Sequence, residues 1–150
     1  MPFNFLIEVD PVNDPPVITG HSALSTPEET AFTLEVADLA ISDPDNASGF
    51  ILSIFSGSNY SLSGHTITPA LNFNGTLEVP VRVNDGNSNS NDFTVRIQVT
   101  AVNDAPVITN QVPLATAEDT PLTLRVSDLL ISDPDNTSTS LSLIISSGSN

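Results

Sequence analysis

The chain of 150 residues contains no lysine, no cysteine and no tryptophan. Its only cationic residues are three arginines, set against 18 acidic residues, and the formal net charge is −15. Nucleic acids and anionic membrane surfaces are bound largely through cationic side chains, so neither is expected as a partner. The lack of cysteine excludes disulfides, iron–sulfur centres and thiol catalysis. No apolar run reaches the roughly 18 residues of a membrane span, so direct membrane insertion is not expected either.

The sequence repeats itself with an offset of 90 residues. Val12-Asn-Asp-Pro-Pro-Val-Ile-Thr19 returns as Val102-Asn-Asp-Ala-Pro-Val-Ile-Thr109, and the windows 12–46 and 102–136 share 22 of 35 positions. A fixed period of this kind is the signature of repeat proteins. We therefore expect residues 1–11 to be the last strand of a preceding repeat, 12–101 a complete repeat, and 102–150 the N-terminal half of the next. On this interpretation the chain is a segment of a longer array.

Shorter matches extend the repeat in both directions. Phe3, Ile7 and Val9 correspond to residues 93, 97 and 99, and Phe5 has the same apolar periodicity. The segment Ser56-Gly-Ser-Asn59 returns as Ser147-Gly-Ser-Asn150 with a slip of one residue.

Alternating apolar and polar residues dominate the complete repeat and predict β-strands. The clearest strands are 77–83 and 93–99, with the apolar residues of each facing inward; 60–67 is interpreted as one further strand. Pro80 interrupts an alternating pattern and is expected at a sheet edge or a bulge. Turn residues separate about seven short strands in 90 residues, which predicts an all-β fold of tandem β-sandwich repeats.

No arrangement typical of an enzyme is present. His21 and His65 have no serine elbow, paired carboxylate or glycine-rich loop nearby in the sequence, so both are interpreted as surface residues. The chain is therefore predicted not to be an enzyme, with no catalytic residues.

The acidic residues are concentrated where strands are predicted to end. They occur in the Asn-Asp pairs at 13–14, 84–85 and 103–104, in the pairs 28–29 and 118–119, and in the Asp-Pro-Asp-Asn segments 43–46 and 133–136. Each motif by itself is also a good turn or strand start. Their joint recurrence favours a shared cation, because grouped carboxylates repel one another and Ca²⁺ prefers hard oxygen ligands.

These motifs resemble the bacterial cadherin-like (Ig-like) tandem repeats of large surface adhesins and extracellular matrix proteins. The resemblance rests on Val-Asn-Asp-(Ala/Pro)-Pro-Val, Glu-(Glu/Asp)-Thr, Asp-Pro-Asp and Asn-Phe-Asn-Gly followed by Val-Asn-Asp-Gly, and it covers the whole chain. It implies a seven-stranded Greek-key sandwich and Ca²⁺ bound between successive repeats. It also implies an extracellular or cell-surface location.

The resemblance also implies which residues would bind Ca²⁺. The linker motif corresponds to Asn13, Asp14, Asn103 and Asp104, the Asp-x-Asp motif to Asp43, Asp45, Asp133 and Asp135, a strand-end aspartate to Asp85, and an early glutamate to Glu28 and Glu118. The outer positions of the linker motif are instead Pro11 and Ala101, and Pro15 and Ala105. One or two ions per junction are therefore expected rather than three. At the junction near 100–104, the expected ligands are Glu28, Asn103, Asp104, Asp133 and Asp135.

The resulting hypothesis is a calcium-stabilised structural or adhesive repeat of a large bacterial surface or filament protein. Its expected partners are neighbouring repeats of the same polypeptide or filament, and cell-surface or matrix polysaccharide. Two alternatives remain open at this point: a carbohydrate-binding module, and an accessory sandwich domain of a secreted hydrolase. The first is disfavoured by an aromatic content of only 5%.

Overall fold

The structure is a computed structural model that describes residues 3–4, 6–137 and 140–146. It divides into two compact units, Met1–Ala101 and Val102–Asn150, and each is described here by itself. Phe5 and the segment 147–150, both matched to the repeat above, lie outside the described residues. Over the described ranges the chain has no α-helix, and none of its helical segments is long and apolar enough to cross a membrane.

The first unit is built from nine short strand segments and one 3-10 turn. In chain order the strands are β1 (Val17–His21), β2 (Leu24–Pro27), β3 (Phe32–Thr33), β4 (Leu39–Ser42), β5 (Ile51–Ile54), β6 (Tyr60–Ser63), β7 (Thr66–Pro69), β8 (Gly75–Asn84) and β9 (Phe93–Thr100). The 3-10 turn, Val36–Asp38, separates β3 from β4.

These segments form the two layers of a β-sandwich. One layer is a four-stranded sheet in the order β2-β9-β8-β5; the other contains the sheets β3-β7-β6 and β1-β4. β3 and β4 are consecutive parts of one stretch that the 3-10 turn interrupts, so the β1-β4 pair extends the second layer. β1 and β2 are likewise consecutive but lie in different layers. If β1 is counted with β2 and β3 with β4, the nine segments make seven strands, which is the number predicted from the sequence. The predicted all-β sandwich is confirmed.

The core lies between the layers and is dominated by β8 and β9. Leu77, Val79, Val81 and Val83 of β8 are each at most 1% exposed, as are the inward residues of β9 at 95, 97 and 99. The two strands pair antiparallel from Gly75 opposite Val99 to Val81 opposite Phe93. Because side chains alternate across a strand, every second residue enters the core. The inward faces predicted from the sequence are confirmed.

The segment 60–67 is a hairpin, and its interpretation as a single strand was wrong. β6 and β7 pair antiparallel with Ser63 opposite Thr66, and Gly64 lies in the turn with φ of 59°. Glycine adopts positive φ without the steric penalty that a Cβ brings. The tight turn keeps the alternation of apolar residues almost intact, which is why the pattern looked continuous.

Pro80 lies within β8, which is flanked by β9 on one side and β5 on the other. The pairing with β5 ends at Ile54 opposite Val81. One residue further, the Pro80 carbonyl accepts a hydrogen bond of 3.0 Å from Phe55 N–H. The missing N–H of Pro80 therefore faces the end of β5, where no ladder bond is lost. Proline is tolerated in this inner strand because the neighbouring strand, β5, ends beside it.

The described residues among 3–11 form no strand. Phe3, Ile7 and Val9 are between 83% and 88% exposed. Their assignment to a preceding repeat stays a prediction.

The second unit repeats the local structure of the first. It contains β10 (Val107–Gln111), a 3-10 turn at Val126–Asp128 and β11 (Leu129–Ser132). β10 and β11 pair antiparallel with an irregularity between Ile108 and Asn110, at the position where β1 and β4 have theirs. Over 102–137 and 140–146 no residue is fully buried. Ile108 is 60% exposed, whereas its counterpart Ile18 is 3% exposed. These ranges include no counterparts of β6 to β9, and the counterpart of β5, at 141–145, forms no strand.

Candidate metal-binding site

Three loops of the first unit meet at one end of the sandwich and bring together five of the predicted ligands. These five residues, Asn13, Asp14, Asp43, Asp45 and Asp85, are called the first acidic cluster. Asn13 Nδ2 donates to Asp85 Oδ2 at 3.0 Å, and Asp14 N–H donates to Asp45 Oδ2 at 2.7 Å. The segment that precedes β1 is thus tied to the loops that follow β4 and β8.

The loop after β4 is organised by the Asp43 side chain. Its Oδ1 accepts hydrogen bonds from the main-chain N–H groups of Asp45 at 2.8 Å and Asn46 at 2.9 Å. This arrangement is an Asx turn, in which an aspartate side chain accepts hydrogen bonds from the main-chain N–H groups two and three residues after it. Pro44 restricts φ within the turn and so limits the alternatives. Asp43 was predicted both as a turn residue and as a metal ligand. Its Oδ1 forms the turn, and its Oδ2 takes no part in it.

The other carboxylate oxygen of Asp43, Oδ2, is shielded from solvent and has no hydrogen-bond partner. A buried carboxylate oxygen without a donor is costly, because nothing replaces the water it has lost. Such groups are uncommon in folded proteins and call for an explanation such as an ion. This oxygen is the clearest point in the first cluster at which a cation would lower the free energy.

Asp85 begins the connection between β8 and β9 and is held by three donors. Its Oδ1 accepts from Ser88 N–H at 2.6 Å and Asn87 N–H at 2.7 Å, while Oδ2 accepts from Asn13. The bond from Ser88, followed by those from Asn13 and Asn87, lowers the pKa of the Asp85 carboxyl below its usual value. Donors to a carboxylate stabilise its charged form. Asp85 therefore keeps its negative charge to a lower pH than an ordinary aspartate.

The second unit contains an equivalent arrangement, the second acidic cluster, formed by Asn103, Asp104, Asp133 and Asp135. Asp104 N–H donates to Asp135 Oδ2 at 2.6 Å. Asp133 Oδ1 accepts from Asp135 N–H at 3.0 Å and from Asn136 N–H at 2.8 Å. Asp133 Oδ2 is again buried without a hydrogen-bond partner. The same unsatisfied oxygen thus occurs twice, at positions 90 residues apart.

Two residues that sequence reasoning missed complete the clusters. Ser88 Oγ lies 3.4 Å from Asn13 Nδ2, and Asn136 Nδ2 donates to Asn103 Oδ1 at 3.1 Å. The signal for Asn136 was available, because an asparagine follows Asp-Pro-Asp in both repeats. Ser88 had no comparable signal, since its contact depends on how the loop after β8 folds back.

The side chains do not form a metal site from acidic groups alone. Within the described ranges, no group of three or more histidine, cysteine, aspartate or glutamate side chains could hold a metal ion. The donors that fit a hard cation are instead one shielded carboxylate oxygen per cluster, neighbouring carboxylates and amide or main-chain oxygens. Ca²⁺ accepts such a mixed oxygen set, often completed by water.

Glu28 and Glu118 are not part of these two clusters. Glu28 follows β2, is 3% exposed, and its N–H donates to the Thr100 carbonyl at 2.9 Å, at the far end of β9. Asp85 precedes the near end of β9, which is eight residues long. At about 3.3 Å per residue, β9 alone separates the two acids by about 25 Å or more. Glu118 is exposed. The junction predicted around Glu28 and residues 103, 104, 133 and 135 stays a prediction.

Both histidine rings form hydrogen bonds with main-chain groups. His21 Nδ1 donates to the Ser22 carbonyl at 2.6 Å, and its Nε2 accepts from Arg96 N–H at 3.3 Å. His65 Nε2 donates to the Leu52 carbonyl at 3.1 Å. Both rings fix connections between strands, which gives them a structural role.

Two arginines of the first unit neutralise acids outside the clusters. Arg82 forms a bidentate ion pair with Asp92, in which Nη2 lies 3.0 Å from Oδ2. This pair lowers the pKa of the Asp92 carboxyl and raises that of the guanidinium. Arg96 lies 3.5 Å from Glu78.

The family model of the bacterial Ig domain matches residues 13–98 of the chain. No curated protein matches the chain. Bacterial Ig domains are non-catalytic modules that serve as structural repeats and usually occur in extracellular or surface proteins. The matched range coincides with the sandwich described above and includes the first acidic cluster. The chain therefore belongs to the bacterial Ig domain family.

Proposed function

We propose that the chain is a calcium-stabilised structural repeat of a large extracellular bacterial protein. The observation that carries this proposal is the shielded, unpartnered Oδ2 of Asp43 and its equivalent on Asp133. Both oxygens lie in acidic clusters with the same loop geometry. Both loops have the sequence Asp-Pro-Asp-Asn, so the repeat provides the same oxygen in each unit.

Calcium fits these clusters by the chemistry of their donors. Asp43 supplies the shielded carboxylate oxygen, Asp45 of the same loop adds a second carboxylate, and Asn13 adds an amide whose oxygen and nitrogen can exchange places. Main-chain oxygens and water would complete the set. In the second cluster the corresponding residues are Asp133, Asp135 and Asn103. A bound cation would neutralise the repulsion between grouped carboxylates. Extracellular modules of this type bind Ca²⁺ with a Kd of about 10⁻⁴–10⁻³ M.

The consequence for function is mechanical. In the first unit the cluster already joins the segment before β1 to the loops after β4 and β8. Calcium would strengthen that joint at the end of the sandwich where a preceding repeat would attach. Restricting such a joint converts a flexible series of domains into a stiff extension, which suits a stalk, a filament or an adhesive array.

Calcium titration of the full chain by isothermal calorimetry, together with thermal unfolding, tests this proposal. We expect binding in the millimolar range and a higher Tm in 10 mM CaCl₂ than in EDTA. Saturation to about ten times the Kd stabilises the folded unit by about 1.4 kcal/mol, which raises Tm by several degrees in a domain of about 100 residues.

Substitutions assign the sites. Asp43→Asn is expected to remove the calcium-dependent rise in Tm, and Asp133→Asn to remove one binding event from the titration. Asp119→Asn is the matched control, because it removes the same charge from an exposed position at which φ is 57° and asparagine is well tolerated. No binding heat and no change in Tm in low salt would overturn the proposal, and an equal effect of Asp119→Asn would overturn the assignment of ligands.

A further inference from the structure

The strand β8 is longer than its neighbour β5, and part of its edge is left unpaired. β8 has ten residues, but its pairing with β5 runs only from Asn84 opposite Ile51 to Val81 opposite Ile54. The bond from the end of β5 to the Pro80 carbonyl closes this ladder. Residues 75–79 of β8 therefore pair with β9 on one side and, in the described part of the chain, have no strand on the other.

The main-chain groups of Thr76 and Glu78 face this open side. Pro80 directs its carbonyl towards β5, which donates to it. Val83 directs its groups the other way, since its N–H donates to Ser90 Oγ at 3.0 Å and its carbonyl accepts from Ser90 N–H at 2.8 Å. Because these directions alternate along a strand, Thr76 and Glu78 share the direction of Pro80. Both residues are exposed, so their N–H and C=O groups are accessible from the open side.

A groove of about 400 Å³ lies along this open stretch. Thr76 and Glu78 line it from β8, and Gly57, Ser58 and Asn59 line it from the loop that follows β5. Its volume is within the range of about 300–1,000 Å³ that is usual for ligand sites. The groove therefore combines space for a ligand with main-chain donors and acceptors that β5 does not reach.

The loop that forms the far wall of the groove is held in place by three contacts. Tyr60 Oη donates to the Phe55 carbonyl at 2.6 Å. Gly57 packs against the same side chain, so closely that a Cβ at this position would lie 2.7 Å from the Tyr60 hydroxyl. The Asn59 carbonyl accepts from Ala70 N–H at 2.8 Å. A wall that is already ordered lowers the entropic cost of binding.

We propose that this groove binds an extended peptide segment of a basic partner protein, which adds a strand to β8 where β5 has ended. In an antiparallel segment, the residue opposite Thr76 and the residue opposite Glu78 each exchange an N–H and a C=O bond with β8. These two residues are separated by two positions, about 6.8 Å, which is the spacing of Thr76 and Glu78 themselves. In strand addition of this kind the main chain supplies affinity and the side chains supply specificity.

The charge of the groove selects a basic segment. Among the described residues that line it, Glu78 alone is charged. Arg96, opposite Glu78 on β9, lies 3.5 Å from its Oε1, and a lysine or arginine opposite Glu78 on the open side would flank the same carboxylate. The net charge of −15 attracts a basic partner and opposes the approach of a second copy of the chain.

Residues 94–99 of the chain supply a probe, because this sequence already pairs antiparallel with residues 75–80 on the other side of β8. The acetylated and amidated peptide Thr-Val-Arg-Ile-Gln-Val carries one positive charge and, in the same register, places its arginine opposite Glu78. It is added at up to about 5 mM to the ¹⁵N-labelled full chain. We expect the amide resonances of Thr76 and Glu78 to shift and their hydrogen exchange to slow, while the amides of β6 are unaffected. EDTA is present throughout, so the outcome does not depend on calcium.

Two altered peptides separate the contribution of the main chain from that of charge. N-methylation of the arginine and glutamine residues removes the two donors to β8 and should weaken binding at least about tenfold. Replacement of the arginine by glutamate should weaken it at least about fivefold. In the chain, Glu78→Gln should reduce the preference for the arginine peptide. Glu8→Gln is the matched control, because it removes the same charge from an exposed position outside the groove.

Three results would overturn the proposal. The first is the absence of shifts at Thr76 and Glu78, and the second is equal binding of the N-methylated peptide. The third is a shift of the same two amides that depends on the concentration of the chain alone, since a second copy would then be the occupant of the groove.

Discussion

The main-chain N–H of Asp14 donates to the carboxylate of Asp45 at 2.7 Å. The same bond joins Asp104 to Asp135 at 2.6 Å in the second unit. In both places this bond fastens the segment that enters the first strand to the Asp-Pro-Asp loop. What a cation would satisfy is the neighbouring Oδ2 of Asp43 or Asp133, which the protein leaves without a donor.

Alanine and asparagine at position 43 should have different effects in the absence of calcium. Asp43→Ala removes the Oδ1 that accepts from Asp45 N–H and Asn46 N–H, and we expect it to lower the free energy of unfolding by about 1–2 kcal/mol. Asp43→Asn retains that acceptor and should cost less. Urea unfolding in EDTA, followed by circular dichroism, measures both. If alanine proved as stable as asparagine, the turn bonds would not be what positions this loop.

The strands were predictable from the sequence because burial of one face imposes a period of two. Val79, Val81 and Val83 show that periodicity at its clearest, and all three are buried. The breaks between strands were harder to predict because they depend on single polar contacts. Asp38 Oδ2 accepts from Glu35 N–H at 2.8 Å and closes the 3-10 turn that divides β3 from β4. The periodicity of apolar residues contains no information about such a bond.

The acidic clusters were only partly predictable. Repetition showed which acids belong together, and the turn motifs showed that Asp43 would be the first residue of a loop. The sequence alone could not show that one oxygen of Asp43 is used by the turn while the other is buried without a partner. Nor could it show that Glu28 lies at the other end of β9, because that separation follows from the parallel pairing of β2 with β9.

Equivalent core residues of the two repeats should differ in their importance. Leu34 is fully buried, whereas its counterpart Leu124 is 39% exposed. Leu34→Ala leaves a cavity and should lower the free energy of unfolding by about 2–5 kcal/mol. Leu124→Ala should cost much less, because little contact is lost at a surface position. Circular dichroism during urea unfolding compares the two, and similar losses would mean that the second unit has a core of its own.

Stability should fall in acid partly through Asp85. Its pKa is lowered in the folded state by the donors from Ser88, Asn13 and Asn87, relative to an unfolded value of about 3.9. Because the folded pKa is the lower one, the stabilisation is fully present above about pH 4 and is lost as the pH falls through the folded pKa. Asp85→Asn should therefore flatten the decline of Tm below pH 4. Asp92→Asn should do the same by removing the carboxylate that pairs with Arg82. An acid limb unchanged in both variants would refute this account.

The amide of Asn91 should be essential for holding β1 against the four-stranded layer, because Asn91 lies just before β9 of that layer. Its Oδ1 accepts from Ile18 N–H at 2.9 Å, and its Nδ2 donates to the Ile18 carbonyl at 3.3 Å. One side chain thus provides both bonds that a neighbouring strand would provide, at a buried residue that directly precedes the irregularity in the β1-β4 pairing. Asn91→Ala leaves these groups unsatisfied and should cost about 1–3 kcal/mol. Hydrogen exchange of the Ile18 amide should accelerate more than that of the β8 and β9 amides. Asn87→Ala is the control, since Asn87 is exposed in the preceding loop and contributes its backbone to Asp85. Slow exchange at Ile18 in the Asn91 variant would show that β1 is held by packing alone.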